Sequence, residues 1–250
     1  DPDYSGTLTG SDADLRPFRD GGKTPSAADL SHVLALYDGE LSELDALLRP
    51  VLDAAGPDAL VLVTADHGES FSHDYWFNHR DALWDGVLSV PLILRGPGVP
   101  VGVTVGDQVG LMDVTPTLLD LAGLPVDTRM VGRSLAPLLR GEVLAELPHF
   151  ATTDPHRPGV QRAIQTPQSK LLATDDGVAT FDLSADPGEL QVLDGATATD
   201  FDQAWTSHAA ILTALEAHQV EAPARRDVSP EEAAQLNALG YHDRANPPRR

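Results

Sequence analysis

Apolar residues recur at three- and four-residue spacings from residue 30 to residue 51: Leu30, Val33, Leu34, Leu41, Leu44, Leu47, Leu48 and Val51. That period makes one face of a helix apolar and predicts a long amphipathic helix. Thr24 is expected to cap it, and Pro25 suits its first turn. Gly39 is a weak point, and Gly56-Pro57 ends the pattern. The preceding residues 1–25 are rich in Gly, Asp and Pro, show little periodicity, and read as loop.

The pattern then changes from periodic to continuous. Residues 59–65, Ala-Leu-Val-Leu-Val-Thr-Ala, form an apolar run of strand length without alternation. Such a run predicts a strand buried on both faces, as in a parallel sheet covered by helices. Residues 90–94, Val-Pro-Leu-Ile-Leu, predict a second such strand, closed by the turn Gly96-Pro97-Gly98. Thr115-Pro116 opens a helix that stops at Gly123. Helix, buried strand, strand, helix is the rhythm of an α/β domain.

From residue 148 the texture is different. Residues 160–166, 169–176 and 178–183 are short strand candidates separated by turn residues, spaced for antiparallel hairpins. A helix is expected around 200–220, and Ser229-Pro230-Glu231-Glu232 is a capping box for a last helix ending at Gly240. The expected organisation is an α/β domain over 1–147 and a small α+β subdomain over 148–250.

Composition adds mostly exclusions. Against 38 Asp and Glu stand 17 Lys and Arg, a balance that repels nucleic-acid phosphates. The Arg pairs at Arg225-Arg226 and Arg249-Arg250 sit in polar, Pro-bearing stretches that read as solvated tail. There is no cysteine, which excludes disulfides, thiolate metal sites and a cysteine nucleophile within these residues. No apolar run reaches the length of a membrane span, and no signal peptide is visible.

The chemistry concentrates where the first strand ends, in Asp66-His67-Gly68-Glu69. Neighbouring side chains on a strand point to opposite faces, so two of them address one site only where the strand stops and the chain bends. Gly68 allows that bend. Ligand-binding groups of open α/β sheets lie beyond the carboxyl ends of strands. An Asp and a His there suit a divalent metal: Ca, Mg or Mn if the other ligands are carboxylates, Zn if more imidazole is present. The bland alternative is a polar turn in which Asp66 or Ser70 caps the next element. Glu69 is expected to support the loop rather than take part in chemistry. Residues 72–86 add His73, His79 and Arg80 within a short aromatic-bearing loop, groups able to bind and protonate an anionic ester. Surface exposure or aromatic packing explains any one of them, taken singly, better than a role in chemistry.

Residues 36–56 with 61–70 resemble the central segment of sulfatases, within the alkaline-phosphatase-like superfamily. Residues 83–102, Leu-Trp-Asp through Val-Pro-Leu-Ile to Gly-Pro-Gly, are similar to the next family segment, followed by residues 109–125 and 131–142. The stretches at 169–176, 181–190 and 231–241 are similar to the family's carboxyl-terminal subdomain. The resemblance implies an alkaline-phosphatase-like α/β sheet covered by helices, with a small antiparallel α+β subdomain. It implies that Asp66 and His67 are metal ligands, for calcium first and magnesium or manganese next. It makes His79 an active-site group that contacts the ester or its leaving group. Arg80 would be a sulfate-binding cation. His73 falls one place before the position where close relatives carry His, and Asp74 occupies that position. The implied substrate is a small-molecule or glycan sulfate ester, and many relatives are exported.

The chain also departs from the family in what it lacks, including the family's early strand with its pair of metal-binding acids. Sulfatases convert the Cys or Ser of a Cys/Ser-x-Pro-x-Arg motif to formylglycine, and these residues contain no such motif. The expectation is a carboxyl-terminal portion that lacks its nucleophile and turns over nothing alone. Three rival readings stand beside it. A phosphatase, phosphodiesterase or phosphoglycerol transferase of the same superfamily would share Asp66 and His67. A calcium-binding module would use the EF-hand-like spacing of Asp1, Asp3, Ser5, Gly6, Leu8 and Asp12. A structural relative would have lost its chemistry altogether.

Overall fold

The computed structural model describes residues 3–20, 22–153, 159–193, 195–207 and 229. Every described helix and strand lies in one compact unit, residues 1–211, and the second unit spans 212–250. The expected helix from Ser229 to Gly240, the outer part of the 200–220 helix and both Arg pairs fall outside the described residues, apart from Ser229 itself.

The amino-terminal stretch is not all loop. Helix α1 spans Asp12–Arg19, capped by Ser11, with Asp12 and Asp14 in its first turn and Arg16 and Arg19 in its last. That charge order matches the helix dipole. Pro17 inside it and its two-turn length hide it from a reading by periodicity. The Asp12 carboxylate is paired with Arg16 and Arg19.

The long helix α2 runs unbroken through Gly39, from Ala27 to Ala55. Its N-cap is Ser26, not Thr24. Ser26 and Asp29 form a capping box, and Tyr4 Oη donates to Asp29 as well. Gly56 ends it at φ +75°, where a side chain would be strained. Of its apolar stripe only Val33 is buried, while Leu41, Leu44, Leu47 and Val51 are exposed.

Strand β1 (Val61–Thr64) pairs with β4 (Leu92–Arg95), and the pairing is antiparallel. The expectation of a parallel pair buried on both faces is wrong for these two strands: Val61–Val63 are half-buried and Ile93 is 60% exposed. A continuous apolar run says that both faces suit a core, and nothing about strand direction. Between them lie the hairpin β2 (Ser70–Ser72) and β3 (Tyr75–Asn78), and the short helix α3 (Asp85–Leu88). Helices α4 (Val114–Leu121) and α5 (Ala136–Leu139) come next.

The predicted antiparallel region forms as expected, with one more strand. β5 (His149–Thr152), β6 (Arg162–Gln165), β7 (Ser169–Thr174) and β8 (Gly177–Asp182) make a four-stranded sheet in chain order. Helix α6 (Ala198–Ser207) comes after it, and its Phe201 packs with Ile164 and Ala173. Leu83, Ala163, Leu172 and Phe181 form a second cluster, with Trp84 and Leu88 packed against it. Burying such side chains stabilises by roughly 1.5–3 kcal/mol each. This cluster fastens the segment around α3 to the four-stranded sheet.

Candidate functional site: an Asp-His pair and two stacked imidazoles at a strand end

Asp66 and His67 come directly after β1, where the chain leaves the sheet. Gly68 turns in a place that only glycine fits: a Cβ there would lie 2.1 Å from the Gly86 carbonyl oxygen. The Gly68 amide donates to the Val87 carbonyl at 2.8 Å, so helix α3 holds the loop from behind. Asp66 is exposed, and its Oδ1 accepts the His67 amide at 3.1 Å. The His67 Nδ1–H donates to the Gly68 carbonyl at 2.9 Å. That bond selects the tautomer whose Nε2 lone pair is free, 3.7 Å from Asp66 Oδ1. Metal-binding histidines commonly hold their other nitrogen in this way.

The hairpin brings in the second imidazole. His73 and Asp74 form its two-residue turn, both at positive φ (62° and 53°), the twist a tight hairpin needs. A bulge comes next: Ser70 pairs with Asn78 and Phe71 with Trp76, leaving Phe77 extra at φ +55°. Phe77 is buried with Leu15 and Val33, and Arg19 Nε donates to its carbonyl at 2.5 Å. The bulge re-aims the end of β3, and His79 lands on His67, ring centroids 4.0 Å apart and planes 14° from parallel. His79 Nδ1 is 3.1 Å from Glu69 Oε2, which leaves Nε2 for another partner. The other Glu69 oxygen, Oε1, is buried without a hydrogen-bond partner among the described residues. Glu69 thus contacts His79 from within the loop.

The structure thus brings together Asp66, His67, His79 and Glu69. Arg80 is the next residue and is exposed, its amide donating to the Tyr75 hydroxyl oxygen at 2.8 Å. His73 lies apart. It stacks on Trp84 and bonds to the Glu189 carbonyl. As to the metal, the fit is partial. Asp66 and His67 supply an oxygen and a nitrogen donor side by side, but among the described residues no group of three or more His, Asp or Glu could hold an ion. Calcium takes roughly 6–8 ligands, so this pair makes part of a coordination sphere.

Sequence reasoning missed one group of charged residues altogether. Lys170 Nζ meets Glu189 Oε1 at 2.6 Å, and both side chains are buried. Burial pushes the Lys170 ammonium below its usual range, and Glu189 opposes that shift. A lysine and a glutamate read singly in polar stretches look like surface residues.

Comparison with known proteins bears on the family and the fold. The Sulfatase family model matches residues 3–124, and the model for "N-sulphoglucosamine sulphohydrolase, C-terminal" matches residues 72–209. Arylsulfatase K of Gallus gallus is 32% identical over 180 residues, covering 65% of this chain and 34% of that protein. The chain thus spans about a third of the length of the curated relatives it matches. The solved structure of a 2-O GAG sulfatase aligns with a TM-score of 0.61 at 22% identity, over 87% of this chain and 49% of the other. A phosphonate monoester hydrolase of Agrobacterium radiobacter aligns with a TM-score of 0.58 at 25% identity, over 83% and 46%. The α/β fold with its antiparallel carboxyl-terminal sheet, the matched family models and the order of the matched segments agree: this chain belongs to the sulfatase family.

Proposed function

We propose that these residues carry part of the active site of a metal-dependent hydrolase of sulfate esters. The observation that carries the reading is the meeting of Asp66, His67 and His79 at the end of β1. Hydrolysis of a sulfate ester needs charge to stabilise the sulfuryl oxygens and a proton for the departing oxygen. His79, with Nδ1 occupied by Glu69, presents Nε2 to the leaving group. Arg80 offers a guanidinium to the sulfate oxygens. Asp66 and His67 would hold a divalent ion, calcium first and magnesium or manganese next, which when bound adds positive charge beside the ester. The formylglycine nucleophile comes from outside these 250 residues, which contain no Cys/Ser-x-Pro-x-Arg. The substrate class is a small-molecule or glycan sulfate ester, in keeping with a solved neighbour that is a GAG sulfatase. In this reading residues 1–147 belong to the catalytic α/β part and 148–250 to a small carboxyl-terminal subdomain. None of the described helices is long and apolar enough to cross a membrane.

A second reading has a specific observation behind it, the alignment with a phosphonate monoester hydrolase. One comparison separates the two. The polypeptide as its gene encodes it is purified and assayed with para-nitrophenyl sulfate, a sulfated uronate oligosaccharide and a phenylphosphonate ester, before and after chelation. Sulfate turnover that chelation abolishes and calcium restores supports the first reading. Turnover of the phosphonate ester alone moves the assignment to phosphoryl chemistry, and turnover of none removes both.

A further inference from the structure

Glu189 lies in the loop after β8, far along the chain from the candidate site, yet it holds both segments that build that site. Its Oε2 accepts the Asp85 amide at 2.9 Å, capping α3 where Trp84, the residue at the helix N-cap, makes no side-chain cap bond. Its backbone carbonyl accepts the His73 Nε2–H at 3.1 Å. The first bond fixes α3, whose Val87 carbonyl in turn receives the Gly68 amide beside Asp66 and His67. The second fixes the turn of the hairpin that delivers His79. His73 is further held by Ser72 Oγ at its Nδ1 and by the Trp84 ring, stacked at 4.1 Å.

Two features mark this as more than incidental packing. Glu189 adopts φ +55°, a left-handed conformation that is unfavourable for a residue with a Cβ. Such strain persists where the surroundings over-determine it. Glu189 is also buried with Lys170 as an ion pair, and a buried ion pair contributes little net stability compared with apolar residues of the same size. What the carboxylate does that an apolar side chain could not is bind Lys170 with one oxygen and the Asp85 amide with the other. Gln165 Nε2 and Gln161 Oε1 add parallel bonds from the same sheet to Asp85 Oδ1 and the Leu83 amide.

We infer that Glu189, its charge balanced by Lys170, is a positioning residue that couples the carboxyl-terminal sheet to the 66–69 loop through α3 and to the 70–79 hairpin through His73. Its consequence for chemistry rests on the sulfate-ester reading, whereas the coupling itself does not. The test therefore uses amide hydrogen exchange on the full 250-residue chain without metal. The Lys170→Met/Glu189→Gln variant removes both charges and keeps an acceptor for the Asp85 amide. The Lys170→Met/Glu189→Leu variant removes the charges and the acceptor. Exchange at Gly68 is expected to quicken on the order of tenfold in the Leu variant and to stay near wild type in the Gln variant, with β7 and β8 amides unchanged in both. Equal Gly68 exchange in the two variants would overturn the inference. Should the Leu variant fail to fold, His73→Phe tests the other tether, keeping the stack on Trp84. Faster exchange in residues 70–79 supports the coupling, and wild-type exchange there refutes it. Failure of the hydrolase assays would leave these exchange results untouched.

Discussion

The imidazoles of His67 and His79 stack face to face, centroids 4.0 Å apart, although one comes after a strand and the other ends a bulged hairpin. If they serve one reaction, they act as a unit. In the native polypeptide, His67→Ala and His79→Ala are each expected to lower kcat/KM for an aryl sulfate by about 100-fold or more. The double variant should be far less impaired than the product of the two, because residues in contact are not additive. A complete double-variant cycle measures this, and full additivity would show that the two rings serve separate ends.

Gly68 is packed against Gly86 with no room for a methyl group. Gly68→Ala must displace either the 66–69 loop or α3, and must strain the bond to the Val87 carbonyl. The expected cost is about 1–3 kcal/mol in urea unfolding. Calcium titration of the same variant should show weaker binding than wild type. Unchanged stability would mean that the backbone approach relaxes freely.

Lys170 and Glu189 are buried together, so removing one charge is worse than removing both. Lys170→Met alone is expected to cost about 3–5 kcal/mol, since it leaves a carboxylate buried without its cation. Adding Glu189→Leu should recover most of that loss. Urea melts of the single and double variants settle the point, and a double variant as unstable as the single would contradict it.

His149, on β5, is half-buried near Asp113 and Arg133. Burial holds its imidazole below the usual histidine range, against the pull of Asp113 and with the help of Arg133. The folded chain therefore favours the neutral ring. Its contribution to stability is present above about pH 6.5, where the unfolded histidine is also neutral, and is lost as pH falls through the lower folded value. Melting temperature is expected to drop between about pH 7.5 and about pH 5, and His149→Gln should reduce the drop. An identical pH profile for the variant would remove His149 as a source.

The local layers of this protein were legible in one dimension. The period of Leu30 to Val51 placed α2, and Gly56 ended it, because a helix needs only local spacing and a terminal residue free to take positive φ. Alternating short runs placed β6, β7 and β8 for the same reason. An apolar run ending in Asp66-His67 located the candidate site, since a strand end is where adjacent side chains can share a ligand. Strand direction, the His67–His79 stack and the Glu69–His79 bond were decided elsewhere. Each depends on which distant backbone lies alongside: β4 beside β1, the Phe77 bulge turning β3, the Gly86 carbonyl against Gly68. The Lys170–Glu189 pair is the clearest case. Nothing local distinguishes those two charges from solvated ones, and only the folded sheet and α3 together take them out of water and give each a partner.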